Sequence, residues 1–570
     1  MPPKAAAVKY PIITAEISGE FFLEDRSGTK HNKGIVLARI TNTDKFEYFL
    51  QIFRPNADGE PQLLVSQEIS QDLGFDFRVR PATDEFKMSW LLPRDDGTPR
   101  LLHLRYTDSQ AQEFKLAISI ALYETEYQVS FASIVDAEDN QDWVEDATIG
   151  TTMNDDDNYT ANYDLEATKY TYTMKDANVA PDRQRRIEQL SSRQASESEE
   201  DESESEDESR FSYKSPAKKA KGVKDGAMTS SSRKGKITNS LLESGMASNR
   251  TYVSRGNRLG VFGYDDDDEL AFKTNTTLFD ADGEEITPDI MQLHALDTQL
   301  LMLDIDDHSK IHNFDLETGK VIDTWQGNGT VFNNIAPAAK YAQTTAESTI
   351  VGTSDNGLYV IDPRINTENK IGSSCVYKTR VDLTTIGANG SGQVATGSKN
   401  GDIRLYSQVK ERGCKTLLPG LGNAITHIDI TEDGSWMVAT TDTYLLVIPL
   451  IIESSGKTGF SGRMGKEKST PLKLAILPKD RIKYKIDQVL FTKARFNTGT
   501  LQNSYERWIV TSCGDFVITF DFDKIKKGHR DAYKITNTKG QVVRDVFRHN
   551  HQNEIVIAQT EDVFMSKIKQ

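Results

Sequence analysis

Several residue types and patterns are scarce in this chain of 570 residues. There are three cysteines, Cys375, Cys414 and Cys513, and no two of them stand in the CxxC spacing of a zinc site. Isolated cysteines are typical of free thiols in a reducing compartment, so a disulfide scaffold is not expected. No apolar run approaches the roughly 18–20 residues that a membrane-spanning helix needs. The N-terminus MPPKAAAVKYP lacks the apolar core of a signal peptide.

Positive charge and catalytic signatures are also in short supply. The chain has 68 Lys and Arg against 85 Asp and Glu, and the net charge of −17 disfavours general binding to nucleic acid. The GKT at 456–458 lacks the earlier glycine of a phosphate-binding loop, because Ile451 occupies that place. His308 and His312 lie on a predicted hairpin, about 13 Å apart along a strand, which is too far to chelate one ion. We therefore expect no metal, no cofactor, no catalytic residue and no small-molecule substrate.

The C-terminal half contains a repeated phrase: an apolar strand, a tight polar turn, and a second apolar strand. Successive copies start roughly 40–50 residues apart, except for one gap of 72. The copies start at Arg258, Leu300, Thr349, Val394, Trp436, Trp508 and Glu554. Hairpins repeating at this period are typical of β-propellers, with one blade per repeat. The repeat predicts a WD40-like propeller of seven blades over residues 250–570.

The gap of 72 residues indicates an insertion between the blades that begin at Trp436 and Trp508. Within it, Gly456–Arg495 carries eleven Lys or Arg against three Asp or Glu. We interpret this segment as a solvated loop. The alternatives are a surface for an acidic partner, for anionic lipid or for the acidic part of the same chain.

Residues 10–135 are predicted to form a pleckstrin-homology-like barrel, preceded by a flexible N-terminus at residues 1–9. Strand-like runs separated by Gly and Asp turns come first, followed by a helix from about Ser109 to Glu126 whose apolar residues fall on one face. Trp90 is expected to pack under that helix. The alternative is another small β-rich domain with a terminal helix. For a domain of this type the candidate anion or lipid contacts are Lys30, Lys33 and Arg39 near the first hairpin.

Residues 136–249 are predicted to be a disordered acidic linker. Ser196–Ser209 holds nine carboxylates and five serines in fourteen residues, a composition that cannot bury enough apolar surface to offset the entropy of ordering. The serines resemble sites for an acidophilic kinase: Ser196, Ser198, Ser203, Ser205 and Ser209. The basic stretch Lys214–Lys224 follows and is a candidate nuclear-import signal.

Several longer stretches resemble a known family. SRGNRLGVFGYDDDDELAFKT from Ser254, GSKNGDIRLYS from Gly397, LGNAITHIDITEDGSWMVATTDTYLLVI from Leu421 and IVTSCGDFVITF from Ile509 are similar, in order, to the C-terminal domain of the vacuolar import and degradation protein twenty-seven family. FKMSWLLPRDDGTPRLLHLRYTDSQAQEFKLAI, from Phe86, resembles the pleckstrin-like domain of that family. The resemblance implies a cytoplasmic protein with a propeller related to WD repeats, and it brings no set of catalytic residues.

These features favour a non-catalytic scaffold that binds other proteins or peptide segments through the propeller. The family name links it loosely to vesicle traffic or to vacuolar import and protein degradation. One alternative is a peripheral membrane adaptor that binds anionic lipid through the pleckstrin-like domain or the basic insertion. Others are a nuclear or chromatin-associated factor and a propeller hydrolase or lyase with its active site at the channel. The expected location is cytoplasmic, with the nucleus as the alternative.

Overall fold

The computed structural model shows a chain built mainly of β-strands. It describes residues 11–25, 28–55, 61–80, 83–93, 99–107, 110–133, 143, 145–153, 164–167, 172–173, 237–266, 268–365, 367–410, 413–498, 506–551 and 553–569. Within these residues, no helix combines the length and apolar character needed to cross a bilayer. The candidate phosphorylation sites from Ser196 to Ser209 and the basic stretch Lys214–Lys224 lie outside the described residues.

The N-terminal part forms one eight-stranded sheet with the strand order β4-β3-β2-β1-β7-β6-β5-β8. All neighbours are antiparallel except β5 and β8. The strands are β1 (Ile12–Glu24), β2 (Lys30–Asp44), β3 (Glu47–Arg54), β4 (Gln62–Glu68), β5 (Asp76–Arg80), β6 (Glu85–Leu92), β7 (Arg100–Tyr106) and β8 (Thr151–Met153). Seven antiparallel strands followed by one helix, α1 (Ala111–Tyr127), have the pleckstrin-homology-like order that the sequence predicts.

The core of this sheet lies under α1. Phe114 and Ile118 of the helix are buried, and Trp90 is 0 % exposed in the same apolar cluster. Trp90 donates its indole N–H to Gln67 Oε1 at 3.2 Å, so its polar atom is satisfied inside the core. The predicted position of Trp90 is therefore confirmed. Helix α1 begins at Ala111, two residues later than expected, and Gln110 is its N-cap residue.

The C-terminal part is a ring of seven sheets, as the repeat predicts. Six sheets take four consecutive strands each. Blade one holds β11 (Asn239–Ser244), β12 (Arg250–Arg255), β13 (Arg258–Tyr264) and β14 (Leu270–Thr277). Blade two holds β15 (Pro288–His294), β16 (Gln299–Asp304), β17 (Asp307–Asp315) and β18 (Lys320–Gln326). Blade three holds β19 (Asn334–Pro337), β20 (Ile350–Thr353), β21 (Gly357–Ile361) and β22 (Ile371–Val376). Blade four holds β23 (Leu383–Ala388), β24 (Val394–Ser398), β25 (Ile403–Tyr406) and β26 (Thr416–Leu418). Blade five holds β27 (His427–Ile430), β28 (Trp436–Thr440), β29 (Leu445–Pro449) and β30 (Leu472–Leu474). Blade six holds β31 (Arg495–Phe496), β32 (Trp508–Cys513), β33 (Phe516–Asp521) and β34 (Tyr533–Asn537).

The seventh blade is assembled from two distant parts of the chain. It holds β35 (Val542–Phe547), β36 (Glu554–Gln559) and β37 (Asp562–Lys569), and β37 also pairs with β9 (Asp164–Ala167) and β10 (Tyr172–Thr173). The first strand of each blade packs against the first strand of the next, and β35 packs against β11. The ring is therefore closed, and its seven first strands surround the axis.

The blades stack face to face, which explains the apolar runs of their second strands. Every residue of β20 and of β32 is buried, because both faces of a blade strand are covered by neighbouring blades. The first predicted copy needs a correction. Arg258 begins the third strand of blade one, and the hairpin equivalent to the other copies starts at Arg250, one strand earlier.

The predicted linker 136–249 also needs correction at both ends. Residues 143 and 145–148 are helical, Trp143 and Ile149 are buried, and strand β8 joins the N-terminal sheet. At the other end, β11 is already the first strand of the propeller. The acidic composition concealed these few apolar residues, which are enough to attach the segment to a core.

The insertion before Trp508 is packed from Leu472 onward, and for that part the interpretation as a solvated loop is wrong, whereas residues 453–470 lie mostly exposed outside helices and strands. It supplies β30, the outer strand of blade five, and a short helix, α2 (Pro478–Tyr484). Helix α3 (Phe522–Ile525) follows in blade six. Arg481 of α2 donates to the backbone carbonyl of Asp72, so the insertion contacts the N-terminal sheet.

Candidate interaction sites on the propeller

The first candidate site is the central channel of the propeller. A cavity of about 200 Å³ lies on the axis and is lined by residues from all seven blades. Because the first strands of the blades run in the same direction along the axis, residues that begin these strands mark one end of the channel and residues that follow them mark the other.

One end of the channel is filled by the segment that follows β19. We name residues 338–345 the plug loop. The amide of Lys340 donates to Asn389 O at 2.9 Å, and Gln343 O accepts from the amide of Leu296 at 2.8 Å. The ring of Tyr341 lies 5.7 Å from that of His549. Together these contacts tie the plug loop to blades two, four and seven, so this end is closed.

A buried ionic network holds the plug loop in place. Lys340 Nζ lies 3.0 Å from Asp429 Oδ1 and 4.0 Å from Glu506 Oε1, and it also donates to the carbonyl of Ile430. Burial lowers the pKa of Lys340, but the carboxylates of Asp429 and Glu506 outweigh burial, and the net direction is upward. The ammonium is therefore fully engaged within the protein.

The opposite end carries four basic residues, which we name the channel basic cluster: His427, Lys493, Arg495 and Arg544. His427 is the first residue of β27, and Lys493 lies two residues before β31. All four are half-buried, so water in the channel reaches them. Arg495 lies 3.3 Å from Glu243, and Arg544 donates to its neighbour's carbonyl, Val543 O, at 2.9 Å. Lys493 has no hydrogen-bonded or ion-paired partner in the described part of the chain.

The members of the channel basic cluster differ electrostatically. Burial lowers the pKa of Arg495, but Glu243 outweighs burial and the net direction is upward, so the charge of Arg495 is balanced within the protein. Burial, and then repulsion from Arg544 and Arg495, lower the pKa of Lys493 to about 8, although Glu243 and Asp289 act in the other direction. Burial and the same cations place the pKa of His427 well below its ordinary value.

A further carboxylate near the cluster, that of Asp545, is already engaged. Asp545 accepts hydrogen bonds from Thr492 at 2.6 Å and Ser512 at 2.7 Å, and burial raises its pKa. An arrangement of this kind attracts carboxylate oxygens from outside.

A second surface, the rim of blades four to six, is covered by the chain's own N-terminal part. The face of α1 opposite its core side places Tyr123 and Tyr127 on the apolar cluster of blades four and five. Gly422 lies under Tyr127 with φ +75°, and a Cβ there would fall 1.5 Å from the ring. Trp143 donates to Pro419 O at 3.1 Å, and Arg78 bridges to Asp531 at 3.0 Å. This rim is therefore not free for a partner.

The predicted anion contacts do not converge. Lys30 and Lys33 are exposed on the first hairpin. Arg39 lies nine residues further along β2 than Lys30, about 30 Å away for an extended strand. There it is ion-paired with Glu16 and stacked 5.0 Å over the ring of Phe53. Only the two lysines remain as a candidate surface for anionic lipid.

One cluster has the ligand types of a metal site within the described ranges: Asp268, His551 and Glu554. Arg548 Nη1 lies 2.8 Å from Asp268 and 2.7 Å from Glu554, and Lys567 Nζ lies 2.8 Å from Glu554. Two cations already balance these carboxylates, so the cluster is better described as an ionic network. His308, the first of the histidines weighed in the sequence, bonds Phe332 O and pairs with Asp289.

Part of the channel basic cluster was predictable from the sequence. Lys493 and Arg495 belong to the basic insertion that the composition singled out. Arg544 and His427 of the cluster, and Lys340 of the plug loop, gave no signal, because each stands alone in an apolar strand or in a short loop and only the closed ring brings them together.

Comparison with known proteins covers the propeller. Residues 237–570 match the family model described as the VID27 C-terminal WD40-like domain. Vacuolar import and degradation protein 27 of Saccharomyces cerevisiae is 36% identical over 348 residues, which is 58% of this chain and 44% of that protein. The Schizosaccharomyces pombe protein of the same name is 33% identical over 337 residues, 57% of this chain and 42% of that protein.

The chain therefore matches less than half the length of these curated relatives. A solved structure, the C-terminal WD40 domain of Sif2, aligns with TM-score 0.40 and 10% identity over 58% of this chain and 82% of that chain. At this level the likeness carries no argument, and the count of seven blades rests on the sheets themselves.

Proposed function

Since the chain belongs to the VID27 family, we propose that it is a non-catalytic scaffold whose propeller binds acidic segments of other proteins at the open end of its channel. Family membership and the WD40-like ring support a role in protein interaction. The link to vesicle traffic or to vacuolar import and degradation comes from the family name. The N-terminal sheet covers one rim of the ring, which is why we propose the channel end as the binding surface.

The observation that carries the proposal is the state of Lys493. Among the described residues this half-buried ammonium has no hydrogen-bonded partner, and two guanidinium groups lie next to it. Such a charge is costly unless an anion completes it. At the closed end of the same channel, two carboxylates balance the charge of Lys340. An acidic side chain entering the open end would supply the missing charge.

Binding of a labelled glutamate-rich peptide, followed by fluorescence anisotropy, tests the proposal. We expect the double variant Lys493→Met/Arg544→Met to bind at least about ten-fold more weakly than the unaltered chain, because two charge-assisted contacts are lost. Lys457→Met is the matched control, since Lys457 is an exposed lysine of the same basic insertion. Equal affinity of the double variant and the control would remove the channel as the binding site.

A membrane adaptor remains the alternative for the N-terminal sheet, through Lys30 and Lys33. It predicts pelleting with anionic liposomes that is abolished by salt. We place the protein in the cytoplasm. The nuclear alternative would be tested by deleting Lys218–Lys221 and comparing localisation, and an unchanged distribution would exclude it.

A further inference from the structure

A second cluster of cations lies where the N-terminal sheet and the propeller meet. A cavity of about 320 Å³ is walled there by residues 71–76 and 148–152 on one side and by propeller residues 473–490 on the other. The propeller side contributes Lys473, Arg481 and Arg530 to the wall. The channel basic cluster is not part of this cavity.

None of these three cations is paired with a carboxylate among the residues that the structure describes. Lys473 Nζ donates to Thr148 O at 2.7 Å and to Gln71 Oε1 at 3.4 Å. Arg530 Nη1 lies 3.4 Å from Asp146 O, a long hydrogen bond. Arg481 donates to two backbone carbonyls at 3.1 Å each. Neutral acceptors leave most of the positive charge uncompensated.

Two guanidinium groups also retain unused donors. Arg530 is 8 % exposed, and its Nε is buried without a hydrogen-bond partner in the described ranges. The Nε of Arg481 is in the same state. Residue 150 must be glycine for this arrangement, because a Cβ there would lie 1.0 Å from Arg530 Nη1. A buried donor without an acceptor is expensive, so a ligand that accepts from it gains that free energy.

The carboxylates near the cavity do not neutralise the cations. Asp76 is bound to Arg78 at 2.9 Å. Asp72, Asp442 and Asp487 line the wall, yet none of them forms an ion pair with the three cations in the described part of the chain. Burial, and then Arg530, lower the pKa of Lys473 to about 7 against the opposing charge of Glu126. Burial lowers the pKa of Arg530 to about 10 despite Asp146 and Asp76.

We propose that this cavity binds a phosphate-type oxyanion between the Lys473 ammonium and the Arg530 guanidinium, with Arg481 at its edge. The inference goes beyond the proposed function, because it assigns a small-ligand site away from the channel. The walls come from both the N-terminal sheet and the propeller.

Isothermal titration of orthophosphate into the full chain, in phosphate-free buffer at pH 7, tests the site. We expect saturable binding of one anion per chain, weakened at least ten-fold in Lys473→Met and in Arg530→Met. Lys457→Met and Lys493→Met should bind as the unaltered chain does. A parallel titration of glycerol 3-phosphate shows whether free phosphate or a phosphomonoester binds more tightly. Loss of phosphate binding in Lys493→Met, together with unchanged binding in Lys473→Met, would place the anion in the channel and overturn the proposal.

A measurement on the unaltered chain guards against a variant that fails to fold. Sulfate keeps its charge between pH 6 and 9, whereas Lys473 loses its proton over this range, so sulfate affinity should fall at least ten-fold as the pH rises. The Lys493→Met background excludes a contribution from the channel. The titratable or charged groups around Lys473 are Tyr444, whose ring lies 4.6 Å from the ammonium, and Arg530, Arg481, Glu126, Asp72, Asp76, Asp146, Asp442 and Asp487. Absence of saturable binding by the unaltered chain, or affinity independent of pH, contradicts the site.

Discussion

Two lysines at the two ends of one channel have opposite electrostatic environments. Lys340, at the plug loop, is surrounded by Asp429, Glu506 and a backbone carbonyl, and its pKa is raised. Lys493, at the open end, has two arginines as neighbours, and its pKa is lowered to about 8. Both side chains are half-buried, so burial alone does not distinguish them.

The difference shows that the partners of a buried cation, more than its depth, separate a structural group from a binding group. Lys340 stabilises the native ring because its charge is compensated within the fold. Lys493 destabilises the ring until something else supplies an anion.

The largest effect is expected from Lys340→Met. The substitution leaves Asp429 and Glu506 enclosed without their cation, and loss of one partner from a buried ion pair costs about 3–5 kcal/mol of folding free energy. Urea unfolding measures the change. Lys310→Met is the control, because its pair with Asp307 is exposed, and the expected loss is under about 1 kcal/mol. Equal losses of folding free energy in Lys340→Met and Lys310→Met would contradict the conclusion that Lys340 is a structural group.

The same substitution at the open end should stabilise the folded protein instead of destabilising it. Lys493→Met is expected to raise stability at pH 7 by about 1–2 kcal/mol, allowing for the partial exposure of the side chain. The folded protein disfavours the protonated lysine. That cost is complete below the folded pKa of about 8 and fades as pH rises toward the ordinary value of 10.5. The difference in unfolding free energy between the variant and the unaltered chain should therefore shrink from pH 8 to 10.5. A difference that stays constant over this window contradicts the assignment.

Glu243→Gln would sharpen the comparison by making the open end more cationic. The substitution removes the carboxylate 3.3 Å from Arg495, and the acidic peptide should bind about five-fold more tightly, which corresponds to about 1 kcal/mol. Anisotropy titrations in low and high salt measure the effect, and high salt should erase it. Weaker binding would show that Glu243 positions Arg495 for the ligand.

The smallest effect is expected at the first hairpin. Lys30→Ser/Lys33→Ser removes two exposed charges and should change the unfolding free energy by less than about 0.5 kcal/mol. Binding of the acidic peptide should not change either, because these residues lie on the N-terminal sheet. A large loss of liposome pelleting in this variant would instead support the membrane alternative.

Much of the fold was predictable because it depends on local patterns. The strand-turn-strand phrase predicts each blade, and the spacing of Phe114, Ile118 and Leu122 predicts the buried face of α1. The outward face of α1 was not predicted. In the sequence, Tyr123 and Tyr127 resemble ordinary surface aromatic residues. Their packing against the propeller shows that they are partly buried.

The channel sites depend on contacts between residues far apart in sequence. Lys340 meets Asp429 across 89 positions and Arg495 meets Glu243 across 252, and no local pattern carries such information. Trp143 and Ile149 were missed for a different reason. They stand in a strongly acidic stretch, where composition outweighs two apolar residues.

The seventh blade has a consequence for how the chain tolerates being cut. Strands β9 and β10 are hydrogen-bonded to β37, and the amide of Asn239 donates to Thr560 O at 2.9 Å. Both ends of residues 174–237 are thus anchored on the same blade. A protease that severs the backbone between them would nick the polypeptide without opening the ring, and the two fragments would copurify as a non-covalent pair.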